Sequence, residues 1–391
     1  MPLPPPILYQ NPSHTITLID IPTSIAHAQG TPYAPATRHL LSRPPPTAPY
    51  TTPEPKSEAA RERLSSQNSG PKRDIYIALI RAALPDISSQ HTGPWCHPRR
   101  TNQPADTETE ASLPALLFGA INPVPARTYT ITAPPAPPFF CSNYPGSYSN
   151  ATSAPQSLTL HISIPTPTWR PQHINFHLPP FTTHTLHTIP SHPPHLNRAS
   201  VSLFLLDPPW PNKSAGRSSA YPTTRTLDVL TAELVGLAQA YQWSTVKDGI
   251  VAVWITNKAA VRNSVLGRNG IFDAWGVTLV EEWIWVKITE AGEPVTPLDG
   301  AWRCPWEMLL VGRKGAPACE EPARRVIAGV PDLHSRKPCL KELLEPLLPG
   351  YAEREGPIWY NAWEIYARHL VAGWCSWGNE ALKFNWDNYW I

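Results

Sequence analysis

An α/β fold with a mostly parallel sheet is predicted for the second half of this 391-residue chain. Three observations predict it. Short, uninterrupted apolar runs recur from Val201 onward, they alternate with stretches of helical spacing, and the first run ends on Asp207-Pro208-Pro209-Trp210. Continuous apolar strands separated by helices are what a parallel sheet covered on both faces requires. Such sheets bind ligands beyond the carboxyl ends of their strands.

Taken in order, strands are expected at Val201 to Leu206, Ile250 to Thr256, Val277 to Ile288, Glu307 to Gly312, Arg325 to Ala328 and Ala362 to Ala367, and helices near Leu227 to Tyr241, Lys258 to Arg268 and Pro338 to Leu347. The first half reads differently. It holds 36 of the 50 prolines but only two of the 16 tryptophans. Alternation of β-branched residues between Ile7 and Ile21 fits two strands, Ile75 to Leu84 has helical spacing, and "ARTYTITAPP" alternates as a strand should. The proline clusters argue against long regular elements there. The expected organisation is a Pro-rich, partly ordered accessory region with some β structure over 1–165, a linker over 166–200, and the α/β domain over 201–391.

Composition narrows the function classes. A net charge of +2 with 16% charged residues demands no polyanionic partner and predicts modest, salt-sensitive binding to nucleic acid. The six cysteines contain no Cys-x-x-Cys pair, so neither a zinc ribbon nor a disulfide framework is suggested. No apolar run approaches the roughly 20 residues that span a bilayer. A soluble intracellular protein is expected. His184-x-x-His187 and His192-x-x-His195 have metal-like spacing but sit in a Thr/Pro-rich stretch with no cysteine nearby, and no metal site is expected. The basic pairs Lys72-Arg73 and Arg99-Arg100 read as solvated surface.

The chemistry sits at Asp207. Proline cannot continue a central strand, so Pro208-Pro209 makes the chain leave the sheet and holds a carboxylate and the carbonyls after it in a rigid loop. A planar exocyclic amine offers two N–H donors to such acceptors, and Trp210 offers a flat face for a base. An aromatic amine is a poor nucleophile, because its lone pair is delocalised into the ring. A methyltransferase must therefore hold it in line with an activated methyl and favour the charge that develops on nitrogen. No strong general base is needed, since the proton turns acidic only after the methyl arrives.

Six separate blocks over about the last 200 residues resemble the MT-A-70 family of S-adenosylmethionine-dependent adenine N6-methyltransferases, and within it the group of methyltransferase-like protein 4. They are "DPPWPNKS" at Asp207, "VAVWITNKAAV" at Val251, "EEWIWVKITEAGEPVTPLDG" at Glu281, "CPWEMLLVGR" at Cys304, "VPDLHSRKP" at Val330 and "EIYARHLVAGWCSWGNEALKF" at Glu364. In the first half only "ILYQNPSHTITLIDIP" looks familiar, as a fungal-type N-terminal half. The resemblance implies a Rossmann-like permuted (class beta) methyltransferase domain, in which the catalytic strand precedes the cofactor-binding strand. No Gly-x-Gly-x-x-Gly loop occurs, and S-adenosylmethionine carries no phosphate that would need one.

The family's roles map onto this sequence as follows. Asp207 and the Pro208 carbonyl bind the target amine, Asp207 lying also near the methionine moiety, while Pro209 and Trp210 shape the base pocket. Lys337 pairs with the cofactor carboxylate, Glu364 sits beside its ribose, and Arg368, Asn379 and Glu380 border the sugar and adenine. Asn212, Lys213 and Tyr221 follow the motif on the acceptor side, with Asn257, Trp285, Lys287 and Trp254 as further cleft candidates. Core packing competes for the two strand tryptophans. His369 stands where the group usually carries a polar amide, and 349–361 is longer than the expected turn.

Three functions are weighed. The first is methylation of N6 of adenine in RNA, with the group implying 2'-O-methyladenosine of U2 small nuclear RNA and DNA as a second substrate. The second is methylation of another planar amine, cytosine or glutamine, against which Trp210 and the number of blocks argue. The third is a catalytically silent binding homologue, against which the intact motif argues. A paired adenine hides its amine, so a single-stranded or splayed base is expected. The resemblance further implies a nuclear protein, with the cytoplasm as a second compartment, that acts without an obligate heterodimer partner.

Overall fold

The computed structural model describes residues 2–51, 57–58, 71–101, 128–132, 139–141, 147–150, 155–163, 172–180, 182–185, 201–211, 226–240, 243, 247–300, 304–318, 320–333, 335–351, 362–378 and 380–391. Its strands, in chain order, are β1 (Ile7–Gln10), β2 (Ile16–Ile19), β3 (Thr128–Thr132), β4 (Phe139–Cys141), β5 (Ser147–Asn150), β6 (Gln156–Ser163), β7 (Gln172–Leu178) and β8 (Thr182–Thr185), then β9 (Leu203–Leu206), β10 (Ile250–Ile255), β11 (Val277–Lys287), β12 (Trp306–Lys314), β13 (Ala323–Gly329), β14 (Ala362–Ile365) and β15 (Trp374–Trp377). The helices are α1 (Ile21–His27), α2 (Pro71–Gln90), α3 (Leu227–Ala240), α4 (Ala259–Leu266), α5 (Ile271–Trp275) and α6 (Lys341–Leu344).

Eleven strands form one sheet in the order β1-β2-β13-β11-β12-β10-β9-β14-β15-β8-β5. Strands β9, β10, β11, β13, β14 and β15 run the same way, and β12 runs against its two neighbours. Strand β9 pairs with β10 on one side and with β14 on the other, although β14 comes last but one in the chain. Strand β9 thus precedes its sheet neighbour β14 by more than 150 residues of chain, the permuted order that the resemblance implies. β4, β3, β6 and β7 form a second, antiparallel sheet.

Period-2 patterning distributes the central strands over two cores. In β10, Val251, Val253 and Ile255 face one core with Leu230, Leu234, Val261 and Phe272 of the helices, while Ile250, Ala252 and Trp254 face the other with Ile21, Ile25, Leu343 and Leu344. Both faces are covered, which is why these strands read as continuous apolar runs. Helix α1 starts at an Asp20 N-cap, whose carboxylate accepts the Thr23 N–H at 3.0 Å, with Pro22 in its first turn. Helix α5 ends where Gly276 turns into the left-handed region, at a φ of 61°.

The first half is more deeply built in than an accessory region. β1 and β2 close one edge of the large sheet, β2 pairing in parallel with β13, and β8 and β5 extend the other, β8 pairing with β15. The stretch 166–200, read as a linker, carries β7 and β8. Prolines do not prevent a long element there: α2 runs for 20 residues with Pro85 inside it. The basic pairs are not simply solvated. Arg73 donates to the carbonyls of Leu298 and Gly300, and the Arg99 side chain is 3% exposed beside Asp20. The short apolar run "PALLFGAINP" (114–123), a strand candidate by sequence, lies outside the described residues.

Candidate active site

The four buried residues of β9 deliver Asp207 to the carboxyl edge of the sheet, where its N–H donates to the Ile365 carbonyl at 3.1 Å, one rung beyond the β9–β14 ladder. This is the crevice where the strand order switches direction. The motif then closes on itself, as the Trp210 N–H donates to the Pro208 carbonyl at 2.8 Å. Trp210 is 7% exposed, and its indole N–H donates to the Trp254 carbonyl at 2.7 Å. A buried indole N–H needs an acceptor, and here that need anchors the Asp-Pro-Pro turn to the end of β10. Trp210 therefore braces the loop rather than presenting the expected flat face for a base.

The Asp207 carboxylate lies between two cations. Lys337 Nζ is 2.9 Å from Oδ1, and Arg368 Nη1 is 3.4 Å from Oδ2. Lys337 comes from the loop after β13 and also reaches Glu307 Oε2 at 3.0 Å, with its ammonium 4.3 Å from the Trp254 ring centre. Arg368, after β14, donates to Glu380 Oε2 at 3.0 Å and to the Ser335 carbonyl at 3.0 Å. The chain of charges continues outward, from Glu307 to Lys287 at 2.6 Å and from Glu380 to Lys383 at 3.2 Å. Four cations and three carboxylates thus alternate across the strand ends.

Burial and this alternation set the ionisation. Burial alone would raise the Glu307 carboxyl, but the Lys287 and Lys337 ammoniums beside it hold it well below the usual carboxylate range. Burial would likewise lower Lys337, yet Asp207 and Glu307 keep it raised. Glu364 is the exception. It is 8% exposed, its Oε2 has no hydrogen-bond partner, and burial followed by the charge of Asp207 pushes its carboxyl up to about 8. His369 is buried and kept neutral, its pKa lowered to about 3 by burial and then by Arg336.

Of the residues expected from sequence, the structure gathers Asp207, Pro208, Pro209, Lys337, Glu364, Arg368 and Glu380 at one edge. Trp254, Trp285, Lys287 and Asn257 flank them at the ends of β10 and β11. Trp254 and Trp285 are each 3% exposed and pack edge to face at 5.9 Å, so both serve the core, and Trp254 also lines the small cavity at Asp207. Asn257 is exposed and donates to the Trp306 carbonyl at 2.9 Å. Asn212, Lys213, Tyr221 and Asn379 lie outside the described residues, as does most of 349–361. His184 is in β8, and the other three histidines of that tract are outside the described residues. Sequence reasoning missed Glu307. It reaches the site because β12 is antiparallel, so the start of that strand lies where its neighbours end; the signal was a carboxylate opening an otherwise apolar run.

Backbone and space point the same way. Ser335 and Tyr366, both non-glycine, adopt φ of 69° and 63°, and Gly378 lies at 155°, where an added Cβ would meet the Tyr366 Cα at 3.0 Å. Such outliers persist where the surroundings over-determine them, and they cluster at working sites. The cavity among Asp207, Lys337, Glu364, Tyr366, Arg368 and Phe384 encloses only about 20 Å³, because the two cations fold into it. A cavity of about 490 Å³ lies elsewhere, between α1 and α6, and holds none of these charges but His27, Lys341, Glu342 and Glu345. Among the described residues no group of three or more His, Cys, Asp or Glu could hold a metal, and no helix is long and apolar enough to cross a membrane.

Permuted α/β connectivity with an Asp-Pro-Pro-Trp turn and a charged cluster at the switch point defines a class of enzymes acting at a strand-end crevice. Residues 201–380 match the MT-A70 family. The chain is 33% identical over 401 residues to "N6-methyladenosine RNA methyltransferase MTA1" of Cryphonectria parasitica, an alignment covering 98% of this chain and 94% of that protein. It is 35% identical to "N(6)-adenine-specific methyltransferase METTL4" of Mus musculus over 55% of this chain and 45% of that one. It is 32% identical to a "DNA N6-methyl methyltransferase" of Caenorhabditis elegans over 46% and 45%. The chain belongs to the MT-A70 family of N6-adenine methyltransferases, and it is a methyltransferase.

Proposed function

We propose that this enzyme transfers a methyl group from S-adenosylmethionine to N6 of a single-stranded or splayed adenosine in RNA. The observation that carries the reading is Asp207, a carboxylate fixed at the switch point by a rigid turn and flanked by two cations at 2.9 and 3.4 Å. The residues present fit the cofactor. Lys337 and Arg368 suit its carboxylate and sugar edge, and Glu364 Oε2, a buried acceptor without a hydrogen-bond partner, suits a ribose hydroxyl. When bound, S-adenosylmethionine supplies an electrophilic methyl on a sulfonium.

The chain's own residues do the rest. Asp207 has lone pairs beyond those its two cations occupy, and the Pro208 carbonyl has a second beside the one taken by the Trp210 N–H. Together they can accept both hydrogens of an exocyclic amine, which turns its lone pair toward the methyl donor and favours the positive charge that grows on nitrogen. Trp210 keeps these acceptors in place from below.

RNA is favoured by the near full-length likeness to the fungal RNA methyltransferase. Action on 2'-O-methyladenosine of U2 small nuclear RNA, and a nuclear site of action, rest on the resemblance to the methyltransferase-like protein 4 group. Action without an obligate partner is supported by the chain's own N-terminal strands, which occupy both flanks of the catalytic sheet. The second reading, DNA, is favoured by the nematode relative.

The test is transfer of labelled methyl from S-adenosylmethionine to matched single-stranded RNA and DNA oligonucleotides, with the product nucleoside identified by mass spectrometry. N6-methyladenosine from RNA, raised by a 2'-O-methyl on the target and absent with Asp207→Ala, is the expected result. Product from DNA alone would move the substrate to the second reading, and transfer retained in folded Asp207→Ala would remove Asp207 from the mechanism.

A further inference from the structure

The loop after β14 carries Arg368, and it is not held by its own sequence. Leu370, two residues on and fully buried, has both backbone groups taken by side chains from opposite ends of the chain. Its N–H donates to Asn385 Oδ1 at 2.7 Å, and its carbonyl accepts from Gln29 Nε2 at 2.8 Å. The two side chains are joined, Asn385 Nδ2 donating to Gln29 Oε1 at 2.7 Å and also to the His177 carbonyl of β7 at 3.0 Å. Gln29 Nε2 further donates to the Ile25 carbonyl of α1 at 3.1 Å. Asn385 is 0% exposed and Gln29 2%.

Neighbouring backbone bonds run parallel to this clamp. The Phe384 N–H donates to the Arg368 carbonyl at 2.9 Å, and the Ala372 N–H to the Ala28 carbonyl at 2.7 Å. The only side-chain amides in this set are Gln29 and Asn385, and they use their donors and acceptors on the backbone of Leu370, on each other, on α1 and on β7. A buried polar network with every member satisfied fixes one arrangement, and a half-satisfied one is costly.

We infer that Gln29 and Asn385 form a positioning clamp, by which the N-terminal helix α1 and the C-terminal segment set the Arg368 loop for cofactor binding. The inference rests on the cofactor site proposed above. Neither residue touches the charged cluster; both act through the peptide of Leu370. The N-terminal region is then part of the cofactor site's architecture, a role that neither its proline content nor its spacing discloses.

The test compares full-length wild type, Gln29→Met, Asn385→Ala, the double variant and Arg368→Ala, reading S-adenosylmethionine and S-adenosylhomocysteine affinity by calorimetry, steady-state KM for cofactor and acceptor, and thermal stability. Methionine keeps the volume of Gln29 and removes its hydrogen bonds, so this variant stays folded if Asn385→Ala does not. The expected result for Gln29→Met is cofactor binding weakened on the order of tenfold, with a matching rise in cofactor KM and unchanged acceptor KM. The double variant should be no worse than about the poorer single, since both act on one peptide. Wild-type cofactor affinity in folded Gln29→Met, with Arg368→Ala weakened, overturns the clamp. Unweakened binding in Arg368→Ala, or none in wild type, overturns the cofactor site instead.

Discussion

Glu282 and Asp207 are each held between two cations, and the comparison separates a charge built into the fold from the one proposed to meet substrate. Glu282, in the middle of β11, is 1% exposed and is met by Arg262 of α4, by Arg324 of β13 at 3.1 Å and by the Tyr76 hydroxyl of α2 at 3.2 Å. Asp207, at a strand end, is 15% exposed on its side chain and meets Lys337 and Arg368. Burial would raise the Glu282 carboxyl, but Arg262 and Arg324 hold it low. The difference lies in the cations. Those around Asp207 each have a second buried or half-buried carboxylate, Glu307 for Lys337 and Glu380 for Arg368. Around Glu282, Arg324 has only the exposed Glu321 at 3.9 Å as an alternative. A charge whose partners are already compensated can be engaged by a ligand without unbalancing the fold.

The sharpest way to break this comparison is to delete each carboxylate. Glu282→Ala leaves Arg262 without its carboxylate and Arg324 with the exposed Glu321 alone, and should cost about 3–5 kcal/mol of stability, read as a lowered denaturation midpoint, with cofactor affinity unchanged in the folded fraction. Asp207→Ala should do the reverse. A loss of transfer on the order of 10²–10³-fold or more is expected, with a midpoint close to wild type. A Glu282→Ala variant as stable as wild type, or an Asp207→Ala variant that unfolds, would undo the distinction.

The same contrast explains what was legible in the sequence. Strands β9 to β14 appear within two residues of their expected ends because burial on both faces writes itself as apolar runs. β15, "WCSW", was not read: four residues with a serine inside gain their strand state from parallel partners on both sides, β14 and β8, which no local pattern shows. Helix α5 is too short to show a period. The site residues Lys337, Glu364, Arg368 and Glu380 were legible only through likeness to a family. Residue types alone would have left Lys337 and Arg368 on the surface, because the carboxylates that bury them are 130 or more residues away in Asp207's case. Glu307 was invisible because its place depends on strand direction, and the anchoring of Trp210 because it depends on where β10 ends.

A smaller effect is expected from Lys337→Met, which keeps the packing on Trp254 but removes the ammonium. Glu307 retains Lys287, so the fold should hold, while cofactor binding should weaken roughly tenfold, the scale of one charge-assisted contact. Unchanged affinity by calorimetry would take Lys337 out of the cofactor site.

The finest test uses the one carboxyl in the cluster that no cation claims by hydrogen bond. Glu364 has its folded pKa raised to about 8, first by burial and then by Asp207, against an ordinary value of 4.5. The folded state therefore binds a proton that the unfolded state has lost between those two values. Its contribution to stability is fully present below about pH 4.5 and is lost as pH rises through about 8. Glu364→Gln is neutral at every pH and lacks this slope. Relative to wild type, the variant should gain stability on the order of 1 kcal/mol per pH unit across that window, with the two nearly equal at pH 5. Thermal midpoints of the cofactor-free proteins from pH 5 to 8.5 read the difference. A gap that stays constant with pH would mean Glu364 is already ionised, and the Asp207 site would then carry two neighbouring negative charges rather than one.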